Sequence, residues 1–282
     1  MKRITIIGTG YVGLVSGAGI SEFGHHVTCC DIDRDKIKEL KSGHIPIYER
    51  GLESLVKQNV TKGRLYFSWD VHKAIQDSEI IIIAVGTPQG NDGESDLGAV
   101  ESVTKTIGEN LNGYKIICTK STVPVGTGKW IEDIIRTIQP KADFDYVSNP
   151  EFLREGAAIK DFMHPDRVVI GTRTSKALDV MREVYRALYI NETPILSTSV
   201  ETAEMVKYAS NAFLGLKISY INEIANLCEE VGSDVHEVAR AMGLDGRISS
   251  KFLHPGPGFG GSCFPKDMHA LAATGRKNNS VL

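Results

Sequence analysis

The chain has 282 residues, enough for one large or two ordinary domains. Its 41% hydrophobic and 24% charged content is that of a soluble globular protein. A net charge of −3 gives no reason to expect nucleic acid or a membrane as a partner.

The first residues set a trap. "MKR" followed by "ITIIGTGYVGLVSGAGIS" has the basic head and uncharged body of a secretory signal. Gly8, Gly10, Gly13, Gly17 and Gly19 would weaken the apolar helix of such a signal, and the segment reads better as strand, turn and helix. No stretch approaches the ~20 apolar residues of a membrane span.

"RITIIG", "HVTCCD", "EIIIIAVG", "YKIICTKS" and "FDYVSNP" lack polar alternation and read as strands buried on both faces. Between them "VGLVSGAGISEFG", "RDKIKELKSG", "LGAVESVTKTIGENL" and "GKWIEDIIRTIQP" carry apolar residues at helical spacing. The alternation predicts a parallel, doubly wound α/β sheet, which "DRVVIGT" and the helix "SKALDVMREVYRALY" continue to about residue 190. From Ser199 to Val231 runs one proline-free helical pattern of ~50 Å, long enough to connect lobes or form a dimer seam. Gly232 stops it, and Ser233 is the expected cap of the next helix, "SDVHEVARAMG". From residue 276 onwards no terminal element is expected. The domain reading is 1–197 and 198–282.

"IIGTGYVG" places Gly8, Gly10 and Gly13 in GxGxxG spacing, with Tyr11 and Val12 between, directly after a strand and opening a helix. The first glycine makes the turn, the second admits a pyrophosphate, and the third lets the helix pack closely. The following strand ends in Asp31, a carboxylate suited to an adenosine ribose, so NAD is expected over NADP, with Arg34 and Lys36 nearby softening the preference. Thr87 follows the strand "EIIIIAVG", and Ser121 and Thr122 the strand "YKIICTKS", at ends where ligands of open α/β sheets bind; Thr87 and Ser121 also suit plain turn building.

A nicotinamide cofactor calls for acid–base groups. Lys207 and Asn211 are four apart on the long helix, Glu151 and Glu155 four apart in "NPEFLREG", and Asp267 lies four after Cys263. The five cysteines are Cys29, Cys30, Cys118, Cys228 and Cys263, an odd number with no CxxC or CxxH pair. That pattern argues against a disulfide framework and a structural zinc site, so no metal is expected, and for a reducing, cytoplasmic compartment. Four of them fall in apolar runs. Cys263 instead follows "GFGGS" at an expected helix N-terminus with Lys266 close by, a setting that favours thiolate. A thiolate beside a nicotinamide can attack an aldehyde and carry a second oxidation, alcohol to aldehyde to acid through a thioester. A zinc ligand or a redox sensor is the alternative.

Together "GTGYVGL", "VGTP", "STVPVGT", "NPEFLREG", "EMVKYASNAF" and "GPGFGGSCFPKD" resemble the UDP-glucose/GDP-mannose dehydrogenase family, in family order over all 282 residues. The resemblance implies a Rossmann-like NAD domain, then a long connecting helix and a helical dimerisation region. It implies that two NAD molecules in succession oxidise C6 of UDP-glucose to UDP-glucuronate. Cys263 would be the nucleophile, Lys207 and Asn211 the holders of the oxyanion, and Glu151 the base for thioester hydrolysis. Asp267, with Thr122 and a water, would take the hydroxyl proton. Glu155 would lie by cofactor and substrate, and the backbone of Phe152, Leu153 and Arg154 by the sugar-nucleotide phosphates. Arg247 would reach a neighbouring subunit's substrate, and the loop of Phe252, Leu253, Gly258, Phe259 and Gly260 would line the sugar nucleotide. Asp31 and Lys36 would hold the adenosine ribose. The family's C-terminal UDP-binding α/β domain is absent from these residues, so a C-terminally truncated form is expected. Other nucleotide sugars, a one-step β-hydroxyacid dehydrogenase and an inactive NAD-binding fragment are the competing readings.

Overall fold

A computed structural model describes residues 1–90 and 93–281; Leu282, the last residue of the expected second domain, lies outside the described residues. The chain divides into two units, Met1–Pro88 with Asp96–Met205 and Gln89–Ser95 with Val206–Leu282.

The first unit runs β1 (Arg3–Ile7), α1 (Tyr11–Glu22), β2 (His26–Cys30), α2 (Arg34–Lys41), α3 (Leu52–Thr61), β3 (Leu65–Ser68), α4 (Val71–Asp77) and β4 (Ile80–Ile83). It continues with α5 (Gly98–Asn110), β5 (Lys115–Thr119), α6 (Thr127–Ile138), β6 (Phe144–Ser148), α7 (Ala158–Met163), β7 (Val168–Thr172), α8 (Ser175–Val184) and β8 (Ile195–Thr198). The central strands are unbroken apolar runs because both sheet faces are covered: Ile4, Ile6, Ile80, Ile82 and Cys29 enter one core, and Ile7, Ile81, Ile83 and Cys30 the other. Strand order is β3-β2-β1-β4-β5-β6-β7-β8. The order reverses between β1 and β4, and the crevice beyond their carboxyl ends is where such sheets bind ligands.

The all-parallel expectation needs correction. β7 pairs antiparallel with β6, Val147 opposite Thr172. A parallel return needs a crossover that carries the chain back along the sheet. The connection between β6 and β7 holds the short α7 among irregular chain and does not cross back along the sheet, so the chain re-enters from the same end.

The second unit is helical. α9 (Val200–Val231) begins in the first unit and continues through the second, followed by α10 (Val235–Gly243) and α11 (Phe264–Lys277). Gly232 ends α9 with φ 72°. The cap of α10 is Asp234, not Ser233. Its carboxylate accepts from the amides of His236 and Glu237, and its charge complements the helix dipole as a hydroxyl cannot. Tyr208 and Ala212 of α9 pack on Ala270 and Leu271 of α11, a small core. Among the described residues no helix is long and apolar enough to cross a membrane.

Candidate active site

The turn after β1 is shaped by contact. Gly8 has φ 103°, and a Cβ there would lie 2.5 Å from the Ala84 carbonyl oxygen at the end of β4. A Cβ on Gly13 would lie 1.9 Å from Gly8 O, so α1 starts pressed against the turn. Gly10 faces open space and caps α1 with no side chain. The first amides of α1, at Tyr11 and Val12, have no intrahelical partners and the dipole's positive end behind them, which fits a pyrophosphate. Asp31 Oδ2 accepts from Thr9 N at 2.9 Å and Thr9 Oγ1 at 2.7 Å, with Lys36 Nζ at 3.4 Å. Burial alone would raise the Asp31 carboxyl, but these donors hold it below the usual carboxylate range. Oriented and held low just beyond β2, it has the chemistry to accept from ribose hydroxyls. The residues present fit NAD.

At the neighbouring strand ends, hydroxyls join loop to loop. Thr87 Oγ1 donates to Thr122 O at 2.8 Å, and Ser121 Oγ to Val85 O at 2.6 Å. Thr87 and Ser121 are therefore turn builders, and both stand beyond the carboxyl ends of strands where ligands of such sheets bind.

The loop after β6 carries the expected pair of glutamates. Glu151 is buried, and its Oε2 accepts from Leu153 N at 2.5 Å. Arg154 N donates to Asp161 Oδ2 at 3.0 Å, and the Arg154 guanidinium pairs with the same carboxylate. Two amides expected to face phosphates thus carry internal carboxylates. Phe152 stacks under the Arg167 guanidinium, 3.8 Å from its ring centre. Behind this loop, Lys120 is buried and donates to Asn149 Oδ1 at 3.2 Å and the Tyr185 hydroxyl at 3.3 Å; burial lowers its ammonium pKa.

In the second unit Lys207 and Asn211 share one buried face of α9. Asn211 Nδ2 donates to Asp267 Oδ2 at 2.6 Å, and Lys266 Nζ lies 2.8 Å from Asp267 Oδ1. The ammonium expected to assist the thiol is therefore on the buried Asp267, 1% exposed. Cys263 is the N-cap of α11 and the exposed thiol, its carbonyl accepting from Asp267 N at 2.9 Å and its Sγ 3.6 Å from Ser262 Oγ. The other four cysteines are buried.

The loop before Cys263 is held by α9. Lys217 Nζ ties the carbonyls of Ile248, Ser249 and Lys251, and Asn222 Oδ1 accepts from Gly256 N at 2.9 Å. Phe252 and Phe259 stand 6.2 and 6.3 Å from the Phe264 ring, and Leu253 is buried. Gly258 and Gly260 are open to solvent, and Arg247 is exposed and bound to Asp245.

Sequence reading missed Lys120, Glu49 and Glu204. A lysine just beyond the apolar run Ile116–Cys118 of β5 was a signal for the first. Glu204 is buried on α9 and accepts from Gly126 N at 2.7 Å and Gly128 N at 2.8 Å. No spacing marked it or Glu49.

Residues 2–189 match the profile described as the UDP-glucose/GDP-mannose dehydrogenase family, NAD binding domain, and residues 201–281 that family's central domain. A UDP-glucose 6-dehydrogenase of Rhizobium meliloti is 56% identical over 99% of the chain, which spans 64% of that relative's length. The structure of a UDP-glucose dehydrogenase from Pyrobaculum islandicum superposes with TM-score 0.96 at 38% identity, covering 99% of this chain and 65% of that one. A GDP-mannose dehydrogenase from Pseudomonas aeruginosa gives 0.84 at 38% identity, with the same coverage. The fold, the dinucleotide cradle and both profiles agree, and the chain belongs to the UDP-glucose/GDP-mannose dehydrogenase family.

Proposed function

We propose that the protein oxidises the C6 alcohol of UDP-glucose to the carboxylate of UDP-glucuronate through a covalent bond to Cys263. One observation carries this reading: the exposed thiol of five stands at the N-cap of the helix whose buried face holds Asp267 against Asn211. NAD, when bound in the Gly8–Gly13 cradle and against Asp31, supplies a hydride acceptor for each of two oxidations. Asp267, with Thr122 and a water, receives the hydroxyl proton of the first. Cys263 Sγ attacks the aldehyde carbon, and Lys207 and Asn211 hold the oxygen that becomes negative. Loss of a second hydride leaves a thioester. Water activated by Glu151 cleaves its C–S bond and returns the thiol. Glu155 lies by cofactor and substrate in this reading. The Phe152–Arg154 backbone takes the phosphates, and a phosphate at Leu153 N would replace Glu151 there and free it for water. Phe252, Leu253, Gly258, Phe259 and Gly260 line the sugar nucleotide.

The same reading makes the protein a cytoplasmic homodimer along α9, with Arg247 reaching the second copy's substrate. Phe213, Leu216, Tyr220, Leu227 and Val231 support it, being exposed apolar residues at helical spacing. Light scattering that finds only monomer would remove this part.

The decisive assay counts NADH formed per sugar, on this chain and on one extended to the relatives' length. Two NADH per UDP-glucose is the expected result; one would overturn the two-step reading, and faster turnover of GDP-mannose would reassign the substrate. In Cys263→Ser, acid formation is expected to stop while NAD binding, followed by calorimetry, persists. Retained acid formation would exclude the covalent route.

A further inference from the structure

Glu49 lies in the irregular segment between α2 and α3, in "IYERG", yet its carboxylate is 5% exposed. Its Oε2 accepts from the Tyr11 hydroxyl at 2.5 Å and from Gly156 N at 2.9 Å, and its Oε1 accepts from Ala158 N at 3.0 Å. The Tyr11 oxygen is also 3.1 Å from Arg154 O. Tyr11 is the first residue of α1, inside the dinucleotide turn; Arg154, Gly156 and Ala158 belong to the loop that carries Glu151 and Glu155. One buried carboxylate therefore holds the phosphate-side turn and the glutamate loop together.

Glu49's partners lie 38 to 109 residues away along the chain, so no local turn or cap accounts for the arrangement. Burial and the adjacent Glu49 charge both push the Tyr11 hydroxyl pKa upward, keeping it a donor. Gly156 has φ 85°, a conformation that this fixed amide helps to hold. The two linked segments have different expected ligands.

We propose that Glu49 is a positioning residue that couples dinucleotide occupancy to the order of the 151–158 loop, acting through Tyr11 and the Gly156 and Ala158 amides. The proposal rests on the functional reading only in taking the cradle as the NAD site. Binding at the turn fixes Tyr11, Tyr11 fixes the carboxylate, and the carboxylate fixes the loop. The coupling is reciprocal: NAD at the turn orders the loop, and a ligand that orders the loop tightens the turn around NAD.

Hydrogen exchange on this chain tests it, with NAD as the probe. In the unaltered chain, saturating NAD is expected to slow exchange of the 152–158 amides by about tenfold, the size of one charge-assisted hydrogen bond. In Tyr11→Phe and in Glu49→Gln that slowing is expected to vanish at NAD saturation, while exchange in β1 and β4 stays unchanged. In the double variant, the loss of NAD affinity is expected to fall short of the sum of the single losses. NAD binding with no slowing in the unaltered chain overturns this inference alone, as does slowing that survives in Glu49→Gln. Absence of NAD binding overturns the functional reading and the coupling together. A Glu49→Gln chain that fails to fold leaves Tyr11→Phe, which removes one hydroxyl, to decide.

Discussion

The chain has two glycine-rich turns, Gly8–Gly13 in the first unit and Gly256–Gly261 in the second, which resemble each other in sequence and not in cause. In the first, backbone excludes a side chain: Gly13 and Gly8 would place a Cβ 1.9 and 2.5 Å from carbonyl oxygens. In the second, a Cβ on Gly256, Gly258, Gly260 or Gly261 meets nothing within 4 Å, and only Gly258 and Gly261 have positive φ, 103° and 80°. The first turn is closed by its own packing. The second leaves open space around its glycines, and only backbone conformation, at Gly258 and Gly261, demands the residue type there.

That contrast can be broken experimentally. Gly13→Ala is expected to have the largest effect, lowering stability by more than about 3 kcal/mol and abolishing NAD binding, because backbone must move to admit the methyl. Urea unfolding and calorimetry would show it, and a neutral result would erase the distinction between the turns. Asn211→Leu comes next. It strips a donor from a buried carboxylate, at a cost of about 2 kcal/mol in the second unit's unfolding.

The buried carboxylates of the two units differ as well. Asp267 has an ammonium at 2.8 Å, whereas Glu204 is held by two amides. Burial drives the Glu204 carboxyl up to about 7 although those amides pull it down. The folded chain therefore keeps a proton that the unfolded chain, near 4.5, has released. This group's stabilising contribution is complete below the unfolded value and is lost as pH rises through 7, at no more than about 1.4 kcal/mol per pH unit. Urea midpoints of the chain minus those of Glu204→Gln should fall between about pH 4.5 and 7; a flat difference would show Glu204 already ionised.

The smallest effects sharpen the second turn. Gly258→Ala should cost about 1 kcal/mol for its backbone conformation, while Gly260→Ala should stay within about 0.5 kcal/mol. Equal costs would mean that φ is not what selects glycine there.

The same difference governs what the sequence made legible. Ile80–Ile83, buried on both faces, announced a central strand without ambiguity, and the contact-shaped Gly8–Gly13 turn announced a nucleotide. Leu65–Ser68 went unread because it is a four-residue edge strand with Tyr66 half exposed. Strand direction leaves no mark on residue type, so the reversal at β7 was invisible. Ser233 and Asp234 can both cap, and only the observed bonds choose. The helical pairs Lys207–Asn211 and Cys263–Asp267 were found by spacing, whereas Lys266's commitment to Asp267 is a side-chain choice that spacing does not encode. Glu49, tied to amides over a hundred residues away, belongs to tertiary structure alone.

The distribution of sulfur has a practical consequence. Burial pushes the Cys30 and Cys118 thiols up to about 12 and Cys29 higher still, and Cys228 is enclosed on α9. A maleimide dye added to the folded chain should therefore attach once, at Cys263, giving a single fluorescent reporter at the mouth of the α11 helix without any engineering. The remaining four sulfurs would take up label only as the fold opens, so the dye-to-protein ratio doubles as a gauge of unfolding.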